Sequence, residues 1–378
     1  MSRYDLDRDE IAELLADLPR YRAVQLWEGL YRGLADPTEL RVLPQALRER
    51  LSSTPAFAPA LSVEHELVAD AGTTLKWLLA LADGNTIEAV LMHDPRHSTA
   101  CVSSQAGCAM ACTFCATGDA GFVRQLSTGE IVEQVVLAAR AARHAGRRLD
   151  HVVFMGMGEP LANFARVWRA IERIIDDLGI AARHVTVSTV GVIPGIRRLA
   201  ESPRQVNLAV SLHAANDALR DRLVPLNRRY PLHELLATCA DYVGATHRRI
   251  SFEWALIDGV NDTDADADEL ALVAHEVRAH VNLIPLNPTP GGTAHGLTGS
   301  PPARVRAFQG RLGERAVNAT VRRTRGRSID AACGQLAAVR RDGPRVPPGA
   351  GSTASGRPDR PVRGAKAGDA PTGPGTDG

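Results

Sequence analysis

The sequence predicts an α/β fold in which parallel strands alternate with helices, with a small helical unit before it and a disordered tail after it. Three observations support this prediction. Helical apolar spacing fills the first 55 residues, β-branched apolar runs alternate with helical stretches beyond residue 100, and apolar residues become scarce after residue 340. Such alternation is typical of parallel strands joined by crossover helices, which build a β/α sheet or a partial barrel.

The N-terminal unit, residues 1–60, is predicted to be helical. Residues 7–18 and 23–34 have helical apolar spacing, and Pro19 separates them. Three predicted strands follow at 63–69, 74–82 and 86–92, with Gly72 and the Asp83–Gly84 pair in the turns. Residues 61–99 are therefore expected to form a β-rich extension that leads into the barrel.

The main α/β domain is predicted to span residues 100–340. Its helices include 128–144 and 164–178, and a first strand lies near 100–103. The later predicted strands occupy residues 151–155, 184–189, 205–212, 249–256, 281–286 and 319–323. In such folds, ligand-binding residues collect where strands end and loops begin.

Composition excludes several classes of protein. Lys and Arg number 44 against 43 Asp and Glu, so the chain is neither uniformly basic nor uniformly acidic. No apolar run is long enough to span a bilayer, and the first residues lack an apolar signal core. We therefore expect a cytoplasmic protein, in which structural disulfides are uncommon. Residues 341–378 lack the apolar residues that would offset ordering entropy and are predicted to be disordered.

Three cysteines, Cys108, Cys112 and Cys115, have the spacing C-x3-C-x2-C. Three thiolates on one short loop can hold three corners of a cubane iron–sulfur cluster and leave one iron open for an outside ligand. The alternative is a zinc site completed by His93 or His97. Structural zinc usually uses paired C-x2-C units, and this loop has only one, so the spacing favours the cluster.

Polar residues and glycines follow several predicted strands. Gly158 and Glu159 lie in the segment 154–160, where glycine lets the backbone approach a ligand and a carboxylate can hold an ammonium group. Other candidates at or just beyond strand ends are Ser188, Ser211, Leu212, His213 and Asn287. Each alone could be an ordinary loop residue, and their joint occurrence indicates a ligand site.

The cysteine spacing just after the first strand of a β/α array resembles the radical S-adenosylmethionine (SAM) superfamily. The match to the RlmN family, which consists of dual-specificity RNA methyltransferases, is more specific and covers about residues 5–340. It is carried by the motifs CVSSQAGC (101–108), MGMGEPL (155–161), STVG (188–191), NLAVSLH (207–213), DGVND (258–262), NLIPLNP (282–288) and AACGQLA (331–337).

This resemblance implies a partial (β/α)6 radical SAM barrel, one [4Fe-4S] cluster held by the three cysteines, and two SAM molecules per turnover. The amino and carboxylate groups of SAM would bind the open iron, and an electron from the cluster would cleave SAM to a 5′-deoxyadenosyl radical. Gly158 and Glu159 would contact the methionyl end of SAM, and the other strand-end candidates would also contact SAM.

The resemblance also implies the reaction, which is methylation of carbon 2 of an adenine in 23S ribosomal RNA and of an adenine beside the tRNA anticodon. Cys333 matches the cysteine that receives a methyl group from one SAM. Cys101 matches the cysteine that frees the product by forming a transient disulfide with Cys333. Glu88 matches the residue proposed to remove the ring hydrogen, although a solvated surface glutamate is an equal alternative. Cys239 is expected to be buried and inert.

RNA contacts are expected from the basic segment, residues 304–327, which contains eight arginines and a single acidic residue, Glu314. The helical N-terminal unit resembles the accessory RNA-binding domain of the family, and Phe114, Phe122 and Arg124 could border the target base. Expected partners are 23S rRNA, tRNA and an electron donor of the flavodoxin or ferredoxin type. We expect no membrane association and a monomer.

Three alternatives remain at this stage. A Cfr-type enzyme would methylate carbon 8 of the ribosomal adenine with the same cluster and cysteines. A zinc-bearing RNA-binding module would have no catalytic activity. A radical SAM enzyme for a small molecule or a protein would leave the basic segment and Cys333 without a purpose.

Overall fold

The structure is a computed structural model that describes residues 2–337. The tail predicted to be disordered, residues 341–378, lies outside the described residues. Within the described part, we find no helix with the length and apolarity that crossing a bilayer requires.

A mixed sheet of ten strands forms the centre of the described chain. Its strands, in spatial order, are β1 (Leu61–Ala69), β2 (Thr74–Leu81), β3 (Thr86–His93), β4 (Ser98–Cys101), β7 (His151–Phe154), β8 (Val185–Thr189), β9 (Asn207–Ser211), β10 (Ile250–Leu256), β11 (His280–Pro285) and β12 (Ala319–Val321). The strands from β4 to β12 are parallel neighbours, which confirms the predicted α/β fold. A separate antiparallel pair consists of β5 (Gln105–Gly107) and β6 (Phe122–Gln125).

Helices connect the parallel strands as the crossover rule requires. The connecting helices are α5 (Thr128–His144), α6 (Phe164–Glu172), α7 (Ile193–Ala200), α8 (Asp217–Leu223), α9 (Leu232–Thr246), α10 (Asp264–Glu276) and α12 (Pro302–Glu314). Two short helices, α4 (Ala116–Asp119) and α11 (Pro290–Ala294), lie in loops. Helix α5 begins at a capping box in which Ser127 and Glu130 each accept a backbone N–H of the other. Cys239 is fully buried in α9, as expected.

The N-terminal helices are α1 (Arg8–Leu14), α2 (Tyr21–Tyr31) and α3 (Gln45–Ser53). The first two agree with the predicted helices but end earlier, and α3 is an addition. Their apolar faces join the same buried core as the sheet. Arg3 fixes the unit to α5, because its guanidinium lies 2.8 Å from the carboxylate of Glu133. Trp27 contacts a second part of the domain, because it donates to Asp177 in the segment after α6 at 2.9 Å.

The β-rich extension continues the main sheet. Strands β1, β2 and β3 pair antiparallel, and β3 pairs antiparallel with β4 in a register that sets Val90 opposite Cys101. The predicted boundary between residues 99 and 100 therefore falls inside β4. This continuity places Glu88 of β3 on the strand beside Cys101.

Candidate active site

A cavity of about 160 Å³ lies at the carboxyl ends of the parallel strands. Most of the predicted site residues line it: Cys112, Cys115, Gly158, Glu159, Ser188, Ser211, His213, Asn287 and Cys333. The structure therefore brings these predicted residues together at one edge of the sheet. Leu212 does not line the cavity. It is fully buried, because alternation along the strand turns its side chain away from that of Ser211.

The cysteine loop connects β5 to α4, and Cys115 is the residue that precedes the first turn of α4. Burial raises the pKa of the Cys108 thiol to about 12. The pKa of Cys112 is raised well above the usual range by burial and by the neighbouring thiols of Cys115 and Cys108. Such thiols ionise only beside a cation, and three soft sulfur donors suit an iron–sulfur cluster. Within residues 2–337, no three His, Cys, Asp or Glu side chains already stand at the spacing of metal ligands.

The structure does not bring the two alternative zinc ligands to this loop. His93 is buried and its Nδ1 lies 2.9 Å from Ser98 Oγ. His97 precedes β4 and lies 3.3 Å from Asp94, at the amino end of the strands. The cysteine loop lies at the opposite, carboxyl end of the strands. Neither histidine is therefore placed to complete a zinc site on this loop.

Glu159 is held in place by its neighbours. Its carboxylate accepts the backbone N–H of Leu161 at 3.0 Å and that of Val190 at 2.9 Å. Burial raises the pKa of Glu159 to about 7, and a ligand that donates hydrogen bonds to the carboxylate would lower it again. The adjacent Gly158 has φ +100°, and a Cβ there would lie 2.5 Å from the side chain of Gln105. Only glycine fits this turn.

His213 is neutral at physiological pH. Its Nδ1 accepts the backbone N–H of Ala255 at 2.9 Å, and burial lowers its pKa to about 3. The ring of Phe114 contacts it edge-on, with centroids 4.6 Å apart, so Phe114 belongs to the cavity wall. His213 also has φ +61°, an uncommon backbone conformation for a residue with a side chain.

Arg220 is a site residue that the sequence reasoning missed. Its buried guanidinium donates to the carbonyl oxygens of Val190 at 2.7 Å and Leu212 at 3.1 Å, and to Asn227 Oδ1 at 2.7 Å. Burial lowers the pKa of Arg220 to about 10, so the side chain stays charged at neutral pH. Arg220 thus ties together the loops that follow β8 and β9. Arginine is so frequent in this sequence that the residue carries no signal of its own.

Asn287 offers a vacant acceptor to a ligand. Its amide Nδ2 donates to the carbonyl of Cys333 at 3.2 Å, which sets the orientation of the amide group. Its Oδ1 is buried and has no hydrogen-bond partner within the described chain. Buried polar atoms are rarely left unpaired, so this acceptor indicates a missing donor. The ammonium group of an amino acid is such a donor.

The loop 331–337, which carries Cys333, is anchored to the cysteine loop. The backbone N–H of Ala116 donates to the carbonyl of Gly334 at 2.8 Å, and Thr117 Oγ1 donates to the carbonyl of Leu336 at 2.5 Å. Both donors belong to the first turn of α4, directly after Cys115. The two loops therefore position each other.

Cys101 and Cys333 share a small chamber of about 30 Å³ beside the main cavity. Neither forms a disulfide in the described chain. Cys101 is the last residue of β4, and burial raises its pKa to about 12, with the charge of Cys333 acting in the same direction. Met155 and Arg322 also line this chamber. Two cysteines distant in the sequence thus lie together, as the resemblance implies.

Glu88 is buried, with only 3% of its surface exposed, so the alternative of a solvated surface glutamate is wrong. Its carboxylate lies 2.7 Å from Lys76 Nζ and accepts the backbone N–H of Ala337 at 3.0 Å. The side chain lines a second cavity, of about 680 Å³, between β1–β3 and the loop 331–337. Gln335 lines the same cavity, and its Oε1 has no partner within the described residues.

The basic segment is less positive at the surface than its composition predicts. Arg304 pairs with Asp264, and Arg325 pairs with Asp94. Arg311 and Arg315 both pair with Asp268, at 2.7 and 2.8 Å. The remaining exposed arginines include Arg306, Arg323 and Arg327. These acids come from distant parts of the chain, so the neutralisation is invisible in the local sequence.

The two other residues proposed to border the substrate base are on the strand after the cysteine loop. Phe122 has 45% of its surface exposed, as a stacking residue requires. Arg124 is engaged in ion pairs with Asp83 at 2.5 Å and Glu130 at 2.8 Å. Only Phe122 is therefore free to meet RNA without breaking an ion pair.

Comparisons with known proteins agree with this geometry. Residues 102–271 match the model of the radical SAM superfamily. The chain is 50% identical over 346 residues to a probable dual-specificity RNA methyltransferase RlmN of Mycobacterium tuberculosis (strain ATCC 25618 / H37Rv), covering 89% of this chain and 94% of that protein. A relative of the same description from Frankia alni is 51% identical over 349 residues, covering 88% and 82%. A crystal structure of a radical SAM methyltransferase from Sphaerobacter thermophilus superimposes with a TM-score of 0.86 at 50% identity, covering 90% of this chain and all of that one.

Proposed function

Because the chain belongs to the RlmN family of radical SAM RNA methyltransferases, we propose that it methylates carbon 2 of adenine in 23S ribosomal RNA and in tRNA beside the anticodon. The observation that supports methyl transfer through two cysteines is the chamber that both Cys101 and Cys333 line, beside the cavity of the cysteine loop. Carbon 2 as the target follows from the 50% identity to RlmN proteins over most of the chain. A methyl-transfer route that uses two cysteines needs this proximity, whereas a zinc-bearing RNA-binding module has no use for it.

We propose that Cys108, Cys112 and Cys115 hold one [4Fe-4S] cluster, and that SAM lies against Gly158, Glu159, Ser188, Ser211, His213 and Asn287. When bound, the cluster and two SAM molecules per turnover supply the electron, the methyl group and the hydrogen-abstracting chemistry. The raised pKa of Glu159 and the vacant Oδ1 of Asn287 support this placement, because both groups would be satisfied by the amino group of SAM.

Three residues of the chain itself, Cys333, Cys101 and Glu88, carry out the remaining steps of the proposed reaction. Cys333 Sγ receives the methyl group and carries it to the base. Cys101 Sγ then attacks Cys333 Sγ, and the bond between that sulfur and the carbon now attached to the adenine breaks. The carbon stays on the base as the new methyl group, and a Cys101–Cys333 disulfide is left. Burial of Cys101 keeps water away from this step. Glu88 takes the proton from the ring, for which its hydrogen bond to Ala337 must open.

The scheme needs two reductants. A donor of the flavodoxin or ferredoxin type would supply the electron, and a reducing cytoplasm would reopen the disulfide after each turnover. We propose that the protein acts as a monomer.

Glu88→Gln tests the proposed base. The amide can still accept the N–H of Ala337 but cannot take a proton, so RNA methylation is expected to fall by about 10²–10⁴-fold. Methylation of Cys333 is expected to persist, because that step does not involve the adenine. Mass spectrometry of the peptide that contains Cys333 measures it. A parallel loss of Cys333 methylation would instead assign Glu88 to holding the loop 331–337.

The function itself is tested by anaerobic incubation with SAM, a reductant and either 23S rRNA or tRNA, followed by mass spectrometry of the nucleosides. We expect 2-methyladenosine from both RNAs, and no product from Cys333→Ala. Finding only 8-methyladenosine would move the protein to the Cfr type of reaction. A colourless preparation with stoichiometric zinc would favour the non-catalytic module.

A further inference from the structure

Arg322 enters the chamber of the two cysteines from the end of β12. Its backbone N–H donates to the carbonyl of Leu283 at 2.8 Å, which fixes the residue beside β11. Its Nη1 lies 3.7 Å from the sulfur of Met155. The side chain lines both the main cavity and the chamber that contains Cys101 and Cys333. A permanent positive charge therefore borders both sulfur atoms.

This guanidinium has no carboxylate partner within 4.0 Å in the described part of the chain. Four arginines of the basic segment do have one, and among the four that do not, only Arg322 is half-buried, whereas Arg306, Arg323 and Arg327 are exposed. Glu253 shares the main cavity, but its carboxylate accepts hydrogen bonds from Ser251 at 2.9 Å and Asn282 at 2.7 Å. Poorly paired charge inside a protein is costly, so the working site is expected to supply an opposite charge.

The thiols of the chamber can supply that charge. Cys333 is the largest cause of a raised pKa for Arg322, ahead of the opposing effect of burial, with further contributions from Glu253 and Cys101. In the other direction, Arg322 opposes the effect of burial on the pKa of Cys101. The charges of Arg322 and Cys101 thus affect each other's pKa, in the same chamber that Cys333 lines.

We propose that Arg322 is a positioning residue that stabilises the thiolate of Cys333, and then that of Cys101 once Cys333 carries a methyl group. The inference rests on the roles proposed above for the two cysteines. A thiolate, and not a thiol, is the nucleophile in both steps. When the Sγ–H proton leaves to water, the negative sulfur faces Arg322. Methylation turns Cys333 into an uncharged thioether, so the same positive charge then acts on Cys101 alone.

Other charged or titratable groups also lie in or near this chamber. Arg323 and Arg325 follow Arg322 in the chain, and Arg325 is neutralised by Asp94. Glu253 of β10 lies in the adjoining main cavity, and Cys101 of β4 lines the chamber itself. Among these three arginines, Arg322 is the half-buried one that lines both the chamber and the main cavity and that has no carboxylate within 4.0 Å in the described part of the chain. It is therefore the residue to change.

Alkylation of Cys333 by iodoacetamide measures the proposed effect without SAM or RNA. The thiolate forms an S–C bond as iodide leaves, so the rate follows the thiolate fraction. Cys333 is half-buried and open to a small reagent. The reconstituted, anaerobic protein is treated across a range of pH, and the tryptic peptide 328–340 is quantified by mass spectrometry. Arg322→Met is expected to slow alkylation about tenfold at pH 7.5 and to move the rate profile to higher pH by about one pH unit. Arg322→Lys restores most of the rate.

Matched controls separate this effect from a structural one. Arg306→Met removes an exposed arginine of α12 and is expected to leave the profile unchanged. Glu253→Gln removes an opposing negative charge and is expected to speed alkylation about two- to threefold. This variant tests the proposal even where Arg322→Met fails to fold. Circular dichroism and iron content check folding in each case.

Two results would overturn the inference. The first is an unchanged profile in both Arg322→Met and Glu253→Gln. The second is an unchanged profile combined with weaker SAM binding in equilibrium dialysis, which would assign Arg322 to the carboxylate of SAM. The alkylation assay contains no RNA and no SAM. A failure of the proposed RNA methylation can therefore be distinguished from a failure of the role proposed for Arg322.

Discussion

Cys112→Ala is expected to abolish both cluster assembly and RNA methylation, with activity reduced by more than about 10³-fold, since such chemistry depends on the cofactor. Cys112 is the middle one of the three proposed ligands, and burial together with the neighbouring thiols raises its pKa. A metal ion is what makes such a thiol give up its proton. With two sulfurs left, the loop holds only two corners of the cluster. Iron and sulfide analysis, visible absorbance and nucleoside mass spectrometry measure the loss.

Cys239→Ala is the matched control for this variant. Cys239 is also fully buried, but it lies inside α9 and away from the cavity lining. We expect its iron content and methylation to stay close to those of the unchanged protein. Full iron and sulfide in Cys112→Ala would contradict the assignment of the three ligands.

Cys101→Ala is expected to stop turnover with RNA covalently bound to the protein. Cys333 can still receive the methyl group and add to the adenine, because both steps precede the attack by Cys101. Without the second sulfur, the bond between Cys333 and the base has no route to cleavage. A gel with labelled RNA detects the adduct, and nuclease digestion followed by mass spectrometry of the peptide 328–340 locates it.

The double variant Cys101→Ala/Cys333→Ala serves as the control and is expected to bind no RNA covalently. The proximity of the two cysteines in one chamber is the structural basis of this prediction. Free 2-methyladenosine from Cys101→Ala at normal yield would show that another group resolves the adduct, and Cys101 would lose its proposed role.

The sequence predicted the fold well because helices and strands leave different patterns of apolar residues in it. Runs such as 151–155 and 249–256 are too short and too β-branched for helices, whereas Thr128–His144 has helical spacing and a capping box. Helix α3 was not predicted as a separate element. The continuity of β3 with β4 depends on pairing between segments, which no local pattern reveals.

The candidate site was predictable where its residues lie in short motifs at strand ends. Arg220 and Arg322 were not, because their importance comes from what surrounds them. Arg220 binds carbonyl oxygens of separate loops, and Arg322 lies beside two sulfurs from distant segments. The partners of Glu88 were equally hidden, since Lys76 is on another strand and Ala337 is on the loop beside Cys333.

The shared sheet has a consequence for any attempt to define a minimal catalytic fragment. The superfamily model begins at residue 102, one position after Cys101. An excised piece that starts there would lack Cys101, the proposed resolving cysteine, and the whole of β4. Trimming to β4 instead would turn an interior strand into an open edge, with unpaired backbone groups that invite aggregation. The first hundred residues are thus inseparable from the catalytic body, and deletion series should be replaced by point variants.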